Sequence, residues 1–242
     1  MSTRTFGWRG SLSAPIGVAS VLVLLFFPFD GAIVRSFVGL KLGPDFRVEL
    51  QTVQQYGQLS ATLMGMAIIW LADPRQRRRL LDWLAAIAVS DLSCLLLKIC
   101  LGRPRPKYGD PMAFMGLWHA YPFPTKTGEL ALRYSWDLTQ RHPWELWSMP
   151  SSHTALAAVM SVFLISLYPR LRPFAVVMIV LVGCCRVLFR DHYPTDVIVG
   201  AMVGYVIARY AITFCWGQQA FDWLRWKPEG ERAPEASVPI AD

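Results

Sequence analysis

The stretch LLDWLAAIAVSDLSCLLLKICL, Leu80 to Leu101, decides the fold. It is about as long as the roughly 20 predominantly apolar residues that a helix needs to cross a hydrocarbon core of about 30 Å. Three charges sit in it, Asp82, Asp91 and Lys98, although a charge at bilayer depth costs about 2.5–3.5 kcal/mol on insertion scales. Asp82 lies near one end, where it is interfacial, and Lys98 near the other, where its stem can snorkel. Asp91 precedes Lys98 by seven residues and so shares its helical face, a candidate polar contact beneath a site. Immediately upstream stands DPRQRRR, with Arg75, Arg77, Arg78 and Arg79. Such a cluster beside a span marks the cytoplasmic side.

Working outward, further apolar runs occur at about 11–29, 56–72, 149–168, 174–189 and 194–216. With 80–101 they predict an all-α polytopic membrane protein, a six-transmembrane-helix bundle. The composition agrees: 54% hydrophobic and 17% charged residues, with a mean hydropathy of +0.34, lie outside the soluble average. The first run follows Arg4 and Arg9 like a signal peptide, but it is too long and lacks a small-x-small cleavage site. It is expected to stay as the first helix. Residues 30–55 read as a surface loop with room for an interfacial helix. Residues 102–149 form the long external loop between helices 3 and 4. Its Trp118, Trp136, Trp144 and Trp147 suit a lipid interface and a lid or head-group role. In 217–242, FDWLRW reads as interfacial and the Pro-rich remainder as a disordered cytoplasmic tail. Cys94, Cys100, Cys184, Cys185 and Cys215 fall in apolar runs and are expected as free thiols.

Six spans put both termini on one side. Arg4 and Arg9, the four arginines at 75–79, Arg170 and Arg172, and Arg225, Lys227 and Arg232 all fall there. The termini are therefore expected in the cytoplasm, in a bacterial inner (plasma) membrane, with the opposite face in the periplasm or exterior. The net charge of +7 then reflects loops and lipid head groups. No basic tail or zinc pattern points to nucleic acid.

This topology brings three segments to the external face: KICLGRPRP (Lys98–Pro106), PSSH (Pro150–His153) and CRVLFRDHYPTD (Cys185–Asp196). Their spacings are K-x6-RP, PSxH and R-x5-H-x3-D. In this order they resemble the signature of the phosphatidic acid phosphatase type 2 superfamily, the membrane lipid phosphatases related to bacterial acid phosphatases and vanadium haloperoxidases. The resemblance covers about residues 50–216. Two positions depart from it. Ser152 stands where the second motif usually has glycine, which narrows the backbone approach to phosphate. Cys185 stands where serine usually precedes the arginine, and is the poorer hydrogen-bond donor.

The resemblance implies that His192 attacks phosphorus to give a phosphohistidine, while Asp196 holds its other ring nitrogen. His153 then serves as acid toward the leaving group and as base toward water. Lys98, Arg105 and Arg186 neutralise the phosphoryl oxygens, and Ser151, with Ser152 and the helix N-terminus, adds anion-binding donors. The scheme needs no metal and no cofactor. Arg103, Lys107 and Arg190 have no motif position and read as head-group attractors or interface anchors.

The function expected is metal-independent hydrolysis of a phosphate monoester or pyrophosphate on a membrane lipid. Phosphatidic acid, phosphatidylglycerophosphate, a polyprenyl pyrophosphate and lipid A are candidate substrates. A phosphotransferase using the same intermediate is the related alternative. A lipid or organic-anion transporter is the alternative from another class, disfavoured by the lack of an internal repeat and by charges clustered at one face.

Overall fold

The computed structural model describes residues 12–124, 130–139 and 143–225, and helices dominate it. Helix α1 (Ser13–Phe26) gives way to a 3₁₀ turn, Phe27–Phe29, where Pro28 has no N–H to continue the ladder, and resumes as α2 (Asp30–Ser36). Helix α3 (Pro44–Gln54) begins on a proline, whose missing N–H costs nothing in a first turn. Segment 30–55 is thus more helical than the surface loop with an interfacial helix expected from its polarity. Its Asp30 is fully buried.

Next come α4 (Leu59–Ala72) and the long α5 (Arg77–Leu101), which stops at Gly102 in the left-handed conformation. The connection that follows is folded. Strands β1 (Tyr121–Pro124) and β2 (Leu130–Arg133) pair antiparallel, with Tyr121 opposite Arg133. Arg133 then binds Glu145 at 2.5 Å, and the Trp147 indole donates to the Ser135 carbonyl. Helices α6 (Ser152–Leu167), α7 (Arg172–Leu188), α8 (Pro194–Phe214) and α9 (Trp216–Arg225) complete the order. The disordered tail expected beyond α9 falls outside the described residues.

Among the described residues, four helical stretches are long and apolar enough to cross a membrane: Ser13–Ser36, Pro74–Tyr108, Pro169–Leu188 and Pro194–Phe214. Leu59–Ala72 and Ser152–Leu167, the other two of the six expected spans, are apolar but shorter. Helix α6 sits in the centre of the fold. It packs against α5, α7 and α8, and most of its side chains are buried, so protein and not lipid covers it. Trp83 of α5 stacks on Phe163 of α6 with centroids 5.4 Å apart, both fully buried. The Tyr56 hydroxyl reaches Ser161 of α6 at 2.9 Å.

Helix α8 lies on α6 through two glycines. A Cβ on Gly200 would strike the Ser151 backbone, and one on Gly204 the Ala155 carbonyl. Small residues four apart let two helix backbones approach closely. Gly204→Ala is therefore expected to push α8 off α6 and to cost about 1–3 kcal/mol, seen as a lowered thermal midpoint in detergent.

At the other end of α5, Asp82 is buried and accepts hydrogen bonds from the Gln218 backbone at 3.1 Å and its amide at 2.6 Å. That contact ties α9 back along α5. All five cysteines are free.

Candidate active site

Four helix ends converge. The last turn of α5 carries Lys98, and Gly102 turns the chain into Arg103-Pro-Arg105-Pro. This segment is pinned by backbone bonds from Arg105 N to Glu145 O (2.9 Å) and from Ser148 N to Arg103 O (3.0 Å). Helix α6 opens at Ser151, whose N–H donates to the Asp196 carbonyl at 3.0 Å and so locks the start of α6 to the first turn of α8. Helix α7 ends beside Arg186. A tight loop with Arg190 at φ 58° then presents Asp191 and His192, before α8 begins at Pro194.

His192 is 2% exposed. Its Nδ1 lies 2.6 Å from the Ser148 carbonyl oxygen. A carbonyl can only accept, so Nδ1 carries the proton and the lone pair sits on Nε2. Asp196 Oδ2 stands 3.7 Å from the same Nδ1, outside hydrogen-bond reach. The expected holding of that nitrogen by Asp196 is thus divided in the structure: the Ser148 backbone orients the ring, and Asp196 faces it as a negative charge. Asp196 has other partners, accepting from Arg103 at 2.6 Å, the Ser148 hydroxyl at 2.5 Å and the Tyr193 N–H at 2.8 Å.

Burial pushes the His192 ring down to about 3, with Arg186 and Arg105 adding to the shift and Asp196 opposing it. The ring is therefore neutral at pH 7, as a nucleophile must be. Between about pH 3 and the ordinary value near 6.5 the unfolded chain holds a proton that the folded chain does not, so acid weakens the fold across that window. The expected result is a thermal midpoint that falls more steeply from pH 6.5 to 4 in the native protein than in His192→Gln.

The cations surround this ring. Arg186 binds Asp191 at 3.0 Å and the Gln54 side-chain oxygen at 3.0 Å. Arg105 approaches Asp191 at 3.5 Å while its Nε donates to the Trp144 carbonyl. Lys98 donates to Ser152 at 2.5 Å. His153 Nε2 is 3.4 Å from the Gln58 amide nitrogen, and Lys98, Arg105 and Arg186 are all near enough to act on its charge. Lys98, Arg105, His153, Arg186, His192 and Asp196 thus occupy one neighbourhood.

Ser151 and Ser152 take different places. Ser151 is fully buried, and its hydroxyl caps α6 through Thr154 instead of facing an anion. The N–H groups of Ser152 and His153, in the first turn of α6, have no intrahelical acceptor and are the available anion donors. Ser152, in the position of the usual glycine, holds the Lys98 ammonium. Cys185 is buried and makes no side-chain hydrogen bond among the described residues. Asp91 is not hydrogen-bonded to Lys98, although the two are close enough to interact electrostatically.

Arg103 corrects the sequence reading. Expected as a head-group attractor, it is fully buried. It pairs with Asp196 at 2.6 Å and Asp30 at 2.7 Å, and donates to Thr195 and the Pro111 carbonyl. Thr195 in turn donates its N–H and hydroxyl to Asp30.

Ser148, Asp191, Gln54, Gln58 and Asp30 escaped the sequence reading. Asp191 and Ser148 lie within a few residues of the motifs, which was a usable signal. Asp30 had none. Ser148→Ala removes the hydroxyl on Asp196 but leaves the carbonyl that orients His192. It is expected to lower turnover only about tenfold, a loss worth about 1.4 kcal/mol, measured as kcat for phosphate release.

A family model described as the PAP2 superfamily matches residues 79–220. A lipid A 1-phosphatase from Rhizobium etli is 28% identical over 215 residues, covering 81% of this chain and 80% of that protein. Among solved structures, the crystal structure of a transmembrane PAP2-type phosphatidylglycerolphosphate phosphatase from Bacillus subtilis superposes with a TM-score of 0.54 at 20% identity. That superposition covers 89% of this chain and 99% of that one, a likeness of fold.

Proposed function

The chain belongs to the PAP2 superfamily, in its membrane lipid phosphatase branch, and on that premise we propose that it hydrolyses a phosphate monoester or pyrophosphate on a membrane lipid through a phosphohistidine, without a metal. The observation that carries this reading is the His192 ring, its Nδ1–H held by the Ser148 carbonyl and its Nε2 left with the lone pair beside Arg105 and Arg186.

In the first step Nε2 attacks phosphorus, the P–N bond forms and the P–O bond to the lipid breaks. His153, protonated once the bound phosphate's negative charge offsets the three cations around it, gives that proton to the departing oxygen. The imidazole gains positive charge, which Asp196 faces at 3.7 Å. In the second step His153 takes a proton from water, the hydroxide attacks phosphorus, and the P–N bond breaks to release phosphate. Lys98, Arg105, Arg186 and the first N–H groups of α6 neutralise the three phosphoryl oxygens throughout. To bind, phosphate displaces the Asp191 carboxylate from the two guanidiniums and Ser152 from Lys98.

The reading places six spans in a bacterial inner membrane, α4 and α6 being the short ones. The termini face the cytoplasm and the site faces the periplasm, in line with the arginines around 75–79 and 170–172. Head groups like those named for the two relatives, lipid A and phosphatidylglycerolphosphate, are the first substrates to try. The test is phosphate release from a panel of lipid phosphates by the detergent-solubilised protein, with and without EDTA. Release that survives EDTA is expected. Loss of activity on chelation counts against the metal-free scheme, and no release from any lipid phosphate removes the reading.

A further inference from the structure

Behind the loop that carries His192 lies a second cleft, a cavity of about 180 Å³ lined by Arg35 of α2, Lys107, Tyr108, Arg190 and Tyr193 together with neighbouring valine, glycine and proline residues. Two of the three segments that build the active site also wall this cleft. Arg105 and His192 face the active site, whereas Lys107, two residues after Arg105, and Arg190 and Tyr193, flanking Asp191 and His192, line the other side.

Two of its polar atoms lack hydrogen-bond partners among the described residues. Tyr193 is 1% exposed, and its hydroxyl is buried without a hydrogen bond. Burial first, then the carboxylates of Asp196, Asp110 and Asp30, hold that hydroxyl above its ordinary value against the opposing Arg103, so it stays a donor at neutral pH. Arg190 Nε is also buried without a hydrogen bond, and among the described residues neither Arg35 nor Arg190 has an ion pair. Lys107 reaches only Glu145, at 3.8 Å and largely exposed. Among the described residues no acidic side chain lines the cavity. Three cations around a space with room for several waters, with the Tyr193 ring beneath them, match a tetrahedral oxyanion.

We propose that this cleft is a second phosphate-binding subsite, which takes a phosphate of an anionic lipid while the phosphate to be cleaved lies against His192. The proposal rests on the lipid phosphatase reading above. The phosphate comes either from a second phosphorylated position on the substrate itself or from a neighbouring bilayer phospholipid, and the recognition chemistry is the same.

The test compares the full chain with the double variant Arg35→Gln/Lys107→Gln, which leaves the active-site groups untouched. Two lipid substrates that differ only in a second phosphate are presented in neutral detergent micelles. The double variant is expected to lose at least tenfold in kcat/KM on the bisphosphorylated lipid and to stay within twofold on the monophosphorylated one, whose rate also reports intact folding. A second arm adds anionic phospholipid to the monophosphorylated assay. Stimulation seen in the native protein and lost in the variant supports the subsite and assigns its phosphate to a bilayer neighbour.

Equal changes under all conditions, or none, overturn the proposal. Should the native protein release phosphate from no lipid, the phosphatase reading fails and calorimetric titration with inorganic phosphate still reads the cleft. A second binding event present in the native chain and absent from the variant supports it. One event of equal affinity in both overturns it.

Discussion

Replacement of His192 by alanine is expected to lower phosphate release by about 10⁴-fold or more, with the protein still folded. The size follows from what is removed. Nε2 is the one nucleophilic lone pair in the proposed scheme, and the remaining cations can bind phosphate but cannot form the P–N bond. Residual turnover would come from binding and electrostatics alone. A brief reaction with phosphate-labelled lipid, quenched in alkali to preserve an N–P bond, should leave label on the native chain and none on the variant. Near-normal turnover by His192→Ala would remove the nucleophile. The contrast with Ser148→Ala separates the two parts of the Ser148 contact, since its carbonyl orients the ring whichever side chain is present.

The second large effect is expected at a residue that touches no reacting atom in this scheme. Arg103 is buried with two carboxylates, 2.6 Å from Asp196 and 2.7 Å from Asp30. Removing one partner of a buried ion pair leaves an uncompensated charge and costs about 3–5 kcal/mol. Here two carboxylates would be stranded at once. Arg103→Met is accordingly expected to lower the thermal midpoint sharply and to reduce turnover at least a hundredfold, because Asp196 loses its position beneath His192. Arg103→Lys should rescue little, since one ammonium cannot reproduce a fork that serves Asp30, Asp196, Thr195 and the Pro111 carbonyl together. Adding Asp30→Asn to Arg103→Met removes one of the two stranded charges and should recover part of the midpoint. If Arg103→Met folds and turns over like the native chain, this buried cluster does not hold the site.

Arg103 also shows where reading along the chain runs out. Its neighbour Arg105 was recognisable from K-x6-RP, and His153, Arg186, His192 and Asp196 from comparable spacings, because each motif is local and sits at a helix end. Arg103 has the same charge two residues away and no local mark of burial. Its partner Asp30 is 73 residues distant and stands in a stretch polar enough to read as surface. Similarly, hydropathy could find the run at 149–168 but not that α6 would be central and protein-covered.

By itself, then, the sequence determined that this chain is a helical membrane protein of the PAP2 type, and it singled out the cations, histidines and aspartate that the structure brings into one neighbourhood. Apolar length and short-range spacing are properties of the chain alone. Only the tertiary structure decided that Ser148 orients His192, that Arg103 neutralises Asp196 through a triad with Asp30, and that Ser152 holds Lys98. Hydrogen bonds and buried ion pairs depend on distances of a few ångströms between residues far apart in the chain, and packing alone sets those distances.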